Sequence, residues 1–167
     1  MKKFIAISVL TVMLLSLVSC GGITKTYESE GFSIELPITF IDAGDIAHDL
    51  LESTGTSYDG RYTAYTSIIE GITIIAATAD PYEDGDLYDF AQKTAESFGT
   101  DAYDIFYVNG NPAFECYQDL SVTQMKAIIV CHEVDGEIWV VTASCDPEKY
   151  DDKKETMITY LESVVIE

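Results

Sequence analysis

Residues 126–145 read KAIIVCHEVDGEIWVVTASC, two apolar runs rich in Ile, Val and Ala on either side of Asp135-Gly136. An Asp-Gly pair between two such runs supplies the left-handed backbone that a two-residue hairpin turn needs. The stretch therefore predicts a long antiparallel hairpin, with strands over 126–134 and 137–145. Upstream, 102–108 and 113–120 continue the pattern around Asn109-Gly110-Asn111-Pro112, so the second half of the chain reads as a meander.

The flanking segments complete an α+β pattern. Residues 31–37, GFSIELP, alternate Phe32, Ile34 and Leu36 inward against Ser33 and Glu35 outward, and Pro37 closes the strand. Two strands over 61–70 and 72–79 are expected around a tight turn at Gly71, after a short helix over 45–53 with Asp45 placed to cap it. From 86 to 98 the spacing turns helical, with Leu87, Phe90, Ala91, Thr94, Ala95 and Phe98 on one face and Gly99 as a stop. A last helix is predicted over 151–163, with Met157, Leu161 and Val164 or Val165 on its apolar side. The expectation is a mostly antiparallel sheet with helices laid against it.

The first 20 residues, MKKFIAISVLTVMLLSLVSC, have a basic start, an apolar stretch and a small residue before a cysteine. This is a secretory signal in form. Leu17-Val18-Ser19-Cys20 resembles the lipobox of bacterial lipoproteins, which implies cleavage after residue 19 and acylation of Cys20. The reading divides the chain into a signal peptide (1–19), a tether (20–29) and one domain (30–167), held at the cell membrane and facing the extracytoplasmic side. Two or more acyl chains would anchor it stably in a lipid bilayer.

Of the 167 residues, 9 are Lys or Arg and 29 are Asp or Glu, for a net charge of -20, while 47% are apolar. Without Lys2 and Lys3 the mature chain holds 7 basic and 29 acidic residues, a net charge of -22. That balance argues against nucleic acid as a partner, and the apolar content argues against disorder.

GFSIELP (31–37), NGNPAFECY (109–117), a long hairpin ending in WVVTASCDPEKYDD (139–152) and a helix leading to LESVVI (161–166) together resemble the Mog1/PsbP-like superfamily, which includes bacterial lipoproteins of the DcrB type. The resemblance covers 27–167 and implies an α-β-α sandwich that binds or scaffolds. Its members have been tied to assembly of a photosynthetic complex, to regulation of a small GTPase and to envelope functions. Phe40 stands in the place of an aromatic residue often found after the first strand's proline. No activity is carried over with the fold.

With Cys20 acylated, Cys116, Cys131 and Cys145 remain, and a turn at Thr123-Gln124 would set Cys116 opposite Cys131, the one pairing able to form a disulfide. Nucleophile elbows, Walker loops, dinucleotide fingerprints and zinc-protease motifs are absent from the sequence. Cys116 with His132 is the only nucleophile and base that can be drawn, so no catalytic residue is nominated and no enzyme activity or cofactor is expected. Asp80, Asp84 and Asp86 could bind calcium weakly, although capping of the following helix is the simpler role. Tyr58, Tyr62 and Tyr65 form a candidate interaction surface in a loop-rich stretch. The function that follows is a non-catalytic interaction or scaffolding module with an envelope protein partner. The alternative is a lipoprotein that binds a small ligand, a glycan or calcium.

Overall fold

The computed structural model describes residues 22–45, 60–80, 85–98, 104–120 and 123–167. Its strands are β1 (Thr24–Ser29), β2 (Phe32–Pro37), β3 (Ile41–Asp42), β4 (Tyr62–Ser67), β5 (Ile72–Ala79), β6 (Phe106–Val108), β7 (Asn111–Leu120), β8 (Thr123–Val134), β9 (Glu137–Cys145) and β10 (Val165–Ile166). Among the described residues two helices accompany them, α1 (Leu87–Ser97) and α2 (Tyr150–Glu162), with a 3₁₀ turn over Pro147–Lys149 leading into α2. No helix among the described residues is long and apolar enough to cross a membrane.

Seven strands form one sheet in the order β3-β4-β5-β9-β8-β7-β6, every neighbouring pair antiparallel. The β8–β9 hairpin closes on Asp135 and Gly136, both at positive φ, with Val134 facing Glu137. Because side chains alternate across a strand, the sheet has two distinct faces. One carries Ile72, Ile74, Ile128, Val130, Trp139, Val141 and Ala143, which pack under α2 through Tyr150, Met157 and Leu161. The other carries Phe114, Cys116, Ala127, Ile129 and Cys131 beneath Ala91 and Ala95 of α1. Sheet between helices is the α-β-α arrangement expected.

A second sheet, in the order β1-β2-β10, lies against the α2 side of the core, where Phe32 stacks on Trp139 with ring centroids 5.9 Å apart. Phe40 is buried there and meets Tyr160 edge-on at 5.6 Å. The tether expected over 20–29 is corrected by this sheet. From Thr24 onward the segment is strand, in full register with β2 from Thr24 opposite Pro37 to Ser29 opposite Phe32. Tyr27 is buried, and its hydroxyl donates to the carbonyl of Phe40 at 2.5 Å. With Tyr27 as its one buried side chain this strand carries little signal of its own, whereas pairing with β2 holds it firmly.

Two turns also differ from expectation. The β4–β5 connection spans Ile68 to Gly71, so β4 ends at Ser67 and both isoleucines leave the ladder. Thr123 and Gln124 are paired residues of the β7–β8 ladder, opposite Leu120 and Asp119, so the register is that of a turn two residues earlier. A shift of two residues in a hairpin turn moves every cross-strand partner by four. The helix expected over 45–53 falls, beyond residue 45, outside the described residues, as does Gly99.

Candidate functional site

The edge of the large sheet opens into a cleft of about 590 Å³, lined by Ser29, Asp42, Ala43, Gly44, Asp45, Tyr62 and Thr63. Its walls follow from local structure. The amide of Ala43 donates to the carbonyl of Ala64 at 2.8 Å, which carries the β3–β4 ladder one residue past Asp42. Asp42 then turns the chain by accepting from the Gly44 amide at 2.9 Å through Oδ1. Tyr62 packs half-buried against the Ala43–Ala64 contact and gives the cleft its aromatic wall. Asp42 and Asp45 are exposed on the rim.

Among the described residues, the polar side chains lining this cleft all bear oxygen: two carboxylates, two aliphatic hydroxyls and a phenol. Next to it in sequence, Arg61 bonds the Glu137 carboxylate and sits 5.1 Å over the Trp139 ring. The hydrogen bond to Glu137 is the main reason the Arg61 pKa is raised, and the same bond holds Glu137 below the usual carboxylate range. The cleft is therefore built to receive positive or hydrogen-bond-donating groups, with an apolar ring beside them.

The tyrosine surface is brought together only in part. Tyr62 lines the cleft, Tyr58 lies outside the described residues, and Tyr65 is no surface residue at all. Tyr65 points to the other face of β4, is 3% exposed, and packs its ring 5.0 Å from that of Tyr27. Strand alternation separates it from Tyr62, and only the packing shows which of the two faces the core.

The disulfide is corrected as well. Cys116 faces Ala127, and the same register sets Cys131 level with Pro112. The two thiols thus lie four residues apart along one face, about 13 Å, against the roughly 6 Å between α-carbons that a disulfide spans. Cys116, Cys131 and Cys145 are free and buried, and burial pushes both the Cys116 and Cys131 thiols up to about 12. Cys116 is also on the opposite face of the sheet from His132, which pairs with Trp139, so these two side chains do not meet.

Asp86 caps α1: its Oδ1 accepts from the Tyr88 and Asp89 amides at 2.9 and 3.0 Å, and Asp89 returns a bond to the Asp86 amide. Asp80 ends β5 without joining it, and Asp84 lies outside the described residues. Among the described residues no group of three or more His, Cys, Asp or Glu side chains is placed to hold a metal ion.

Sequence reasoning missed a charged cluster between α2 and the sheet. Glu115 is held by Lys154 and lies 3.7 Å from Lys126, whose ammonium sits 4.0 Å over the Tyr150 ring. Burial pushes the Glu115 carboxyl up, but the bond to Lys154 and the two positive charges outweigh it and leave it lowered. Only the cross-strand register, with Glu115 facing Ile128 and Tyr117 facing Lys126, could have revealed it.

A seven-stranded antiparallel sheet with a helix on each face, a small sheet at one side and an open acidic cleft defines a small α+β domain of the Mog1/PsbP-like fold. Cyanobacterial PsbP from Synechocystis superposes with a TM-score of 0.52 at 14% identity, covering 91% of this chain and 99% of its own. The Ran-binding protein Mog1p of Saccharomyces cerevisiae gives 0.50 at 11% identity, over 87% of this chain and 96% of its own. A Bacteroides thetaiotaomicron protein gives 0.52 at 7% identity, over 87% of this chain and 48% of its own. At such identities the likeness is one of fold. No protein-family model and no curated protein matches the chain.

Proposed function

We propose that the protein is a lipoprotein of the bacterial envelope, of the DcrB or PsbP-like type, that acts as a non-catalytic interaction module. The lipobox at Leu17–Cys20 supports the anchor, and extracytoplasmic placement follows from it. The observation that carries the interaction reading is the cleft: an acidic hollow beside Tyr62 whose polar side chains, among the described residues, all present oxygen. Such a surface suits a basic segment of an envelope protein, whose Lys or Arg side chains would meet Asp42 and Asp45 while an apolar stem covers the ring.

The test places a photo-crosslinking side chain at Ser29, and separately at Asp152 on the exposed face of α2, in the membrane-bound protein. A discrete adduct from Ser29 alone, lost in an Asp42→Asn/Asp45→Asn variant and weakened by salt, is the expected result. Adducts that are the same from both positions, or that ignore the two aspartates, would refute the reading. Intact mass of the wild type beside Cys20→Ser tests the anchor independently. The cleft's volume also lies within the range of small-ligand sites, so a saturable small-molecule ligand that blocks the Ser29 adduct would favour the alternative.

A further inference from the structure

We propose that one end of the domain rests directly in the bilayer interface through five isoleucines, Ile23, Ile38, Ile41, Ile68 and Ile69; the proposal rests on the reading of Cys20 as the lipid anchor. Among the described residues these are five of the ten most exposed large apolar side chains, from 54% for Ile38 to 90% for Ile68. Scattered exposed apolar residues are ordinary, but a set gathered at one end is not.

The hydrogen bonds and the register gather them. The Ile38 amide donates to the Ile23 carbonyl at 2.9 Å, extending the β1–β2 ladder beyond Thr24 and Pro37. A turn then brings the Phe40 amide to the Pro37 carbonyl, and Ile41 follows it opposite Thr66. Two residues past Thr66, at that same end of the sheet, the chain turns through Ile68 and Ile69. The candidate cleft begins at Asp42, opposite Tyr65, and runs away from this end toward Tyr62.

The bilayer is the occupant because of where the anchor joins. With β1 starting at Thr24, only Gly21 and Gly22 separate Cys20 from Ile23. Three residue steps reach at most about 11 Å, comparable to the polar layer between hydrocarbon and bulk water. An acylated Cys20 therefore holds this end, and no other, at the membrane surface.

The turn itself suits that environment. The Gly71 amide donates to the Ser67 carbonyl at 2.7 Å and the Glu70 amide to the Ser67 hydroxyl at 3.1 Å, so two of its backbone donors stay bonded away from water. Glu70, the nearest charge along the turn, is 3.6 Å from the ammonium of Lys153. With no surplus of positive charge along the turn, docking is apolar rather than a response to anionic lipid.

The experiment uses the acylated protein in phosphatidylcholine vesicles, labelled with an environment-sensitive fluorophore on Ile68→Cys or, at the far end of β8, on Glu133→Cys. The native thiols are buried. The expected result is blue-shifted emission from residue 68, lost to a quencher carried on the acyl chains, with neither effect at residue 133. Vesicle-bound, acylated protein in which residue 68 is as wet as residue 133 would overturn this proposal and leave the anchor standing. Protein whose intact mass shows an unmodified Cys20 would overturn both. Shielding of residue 68 that grows with protein concentration and ignores the lipid quencher would put a second copy there and overturn it too.

Discussion

His132 is a buried group whose behaviour can be worked out in advance. It sits at 7% exposure on the α2 face of β8, opposite Trp139, and its Nε2 has no hydrogen-bond partner. Burial pushes its pKa down to about 4 from 6.5. The unfolded chain therefore takes up a proton between pH 6.5 and 4 that the folded chain refuses, and stability falls as pH drops through that window. The drop corresponds to about 3 kcal/mol at 1.36 kcal/mol per pH unit. Replacing His132 with leucine removes the proton site at similar volume and also removes an unpartnered nitrogen from the core. At pH 7.5 His132→Leu is expected to match or exceed wild-type stability. The assay is urea unfolding followed by Trp139, the single tryptophan, at pH values from 7.5 to 4. Wild type should lose about 3 kcal/mol more than the variant across that range, with an unchanged denaturant slope. Parallel pH curves for the two proteins would refute the reasoning.

Removing the α1 cap with Asp86→Ala should cost about 1 kcal/mol, since Oδ1 serves two amides, and should lower the thermal midpoint without changing the fold seen by circular dichroism. The buried, free thiols predict that Cys116 and Cys131 resist a thiol reagent at pH 8 until urea unfolds the chain. A non-reduced intact mass short of two hydrogens would contradict the register that separates them.

Much of the fold was legible because its signals are local. Asp135-Gly136 between apolar runs specifies a hairpin with little freedom, and the β9 bounds of 137 and 145 were read without error. Alternation in 31–37 and the helical spacing of 86–98 work the same way. Features that depend on a partner strand were not legible. Thr24–Ser29 has no strong strand signal of its own and is held by β2, so it reads as tether in isolation. The cysteine pairing failed on the position of a single turn, because register magnifies a two-residue error into a four-residue one. The tyrosines failed on a different point: alternation says that Tyr62 and Tyr65 face opposite ways, and only tertiary packing says which way is in. Of the candidate surface Tyr62 alone was reached, and Asp42 and Asp45 enter it because β3 delivers them to an edge that no spacing in the sequence marks.

The small sheet joins the start of the domain to its last strand: β2 lies between β1 and β10, with Ser33 opposite Val165 and the Glu167 amide bonded to the Gly31 carbonyl at 3.1 Å. Closure of such a distant pair is slow, because the whole intervening chain must be organised before the contact rewards it. During vectorial synthesis, β2 waits for a neighbour that emerges after every other element. Among the described strands, the β2 edge that faces β10 is therefore the last to find its partner.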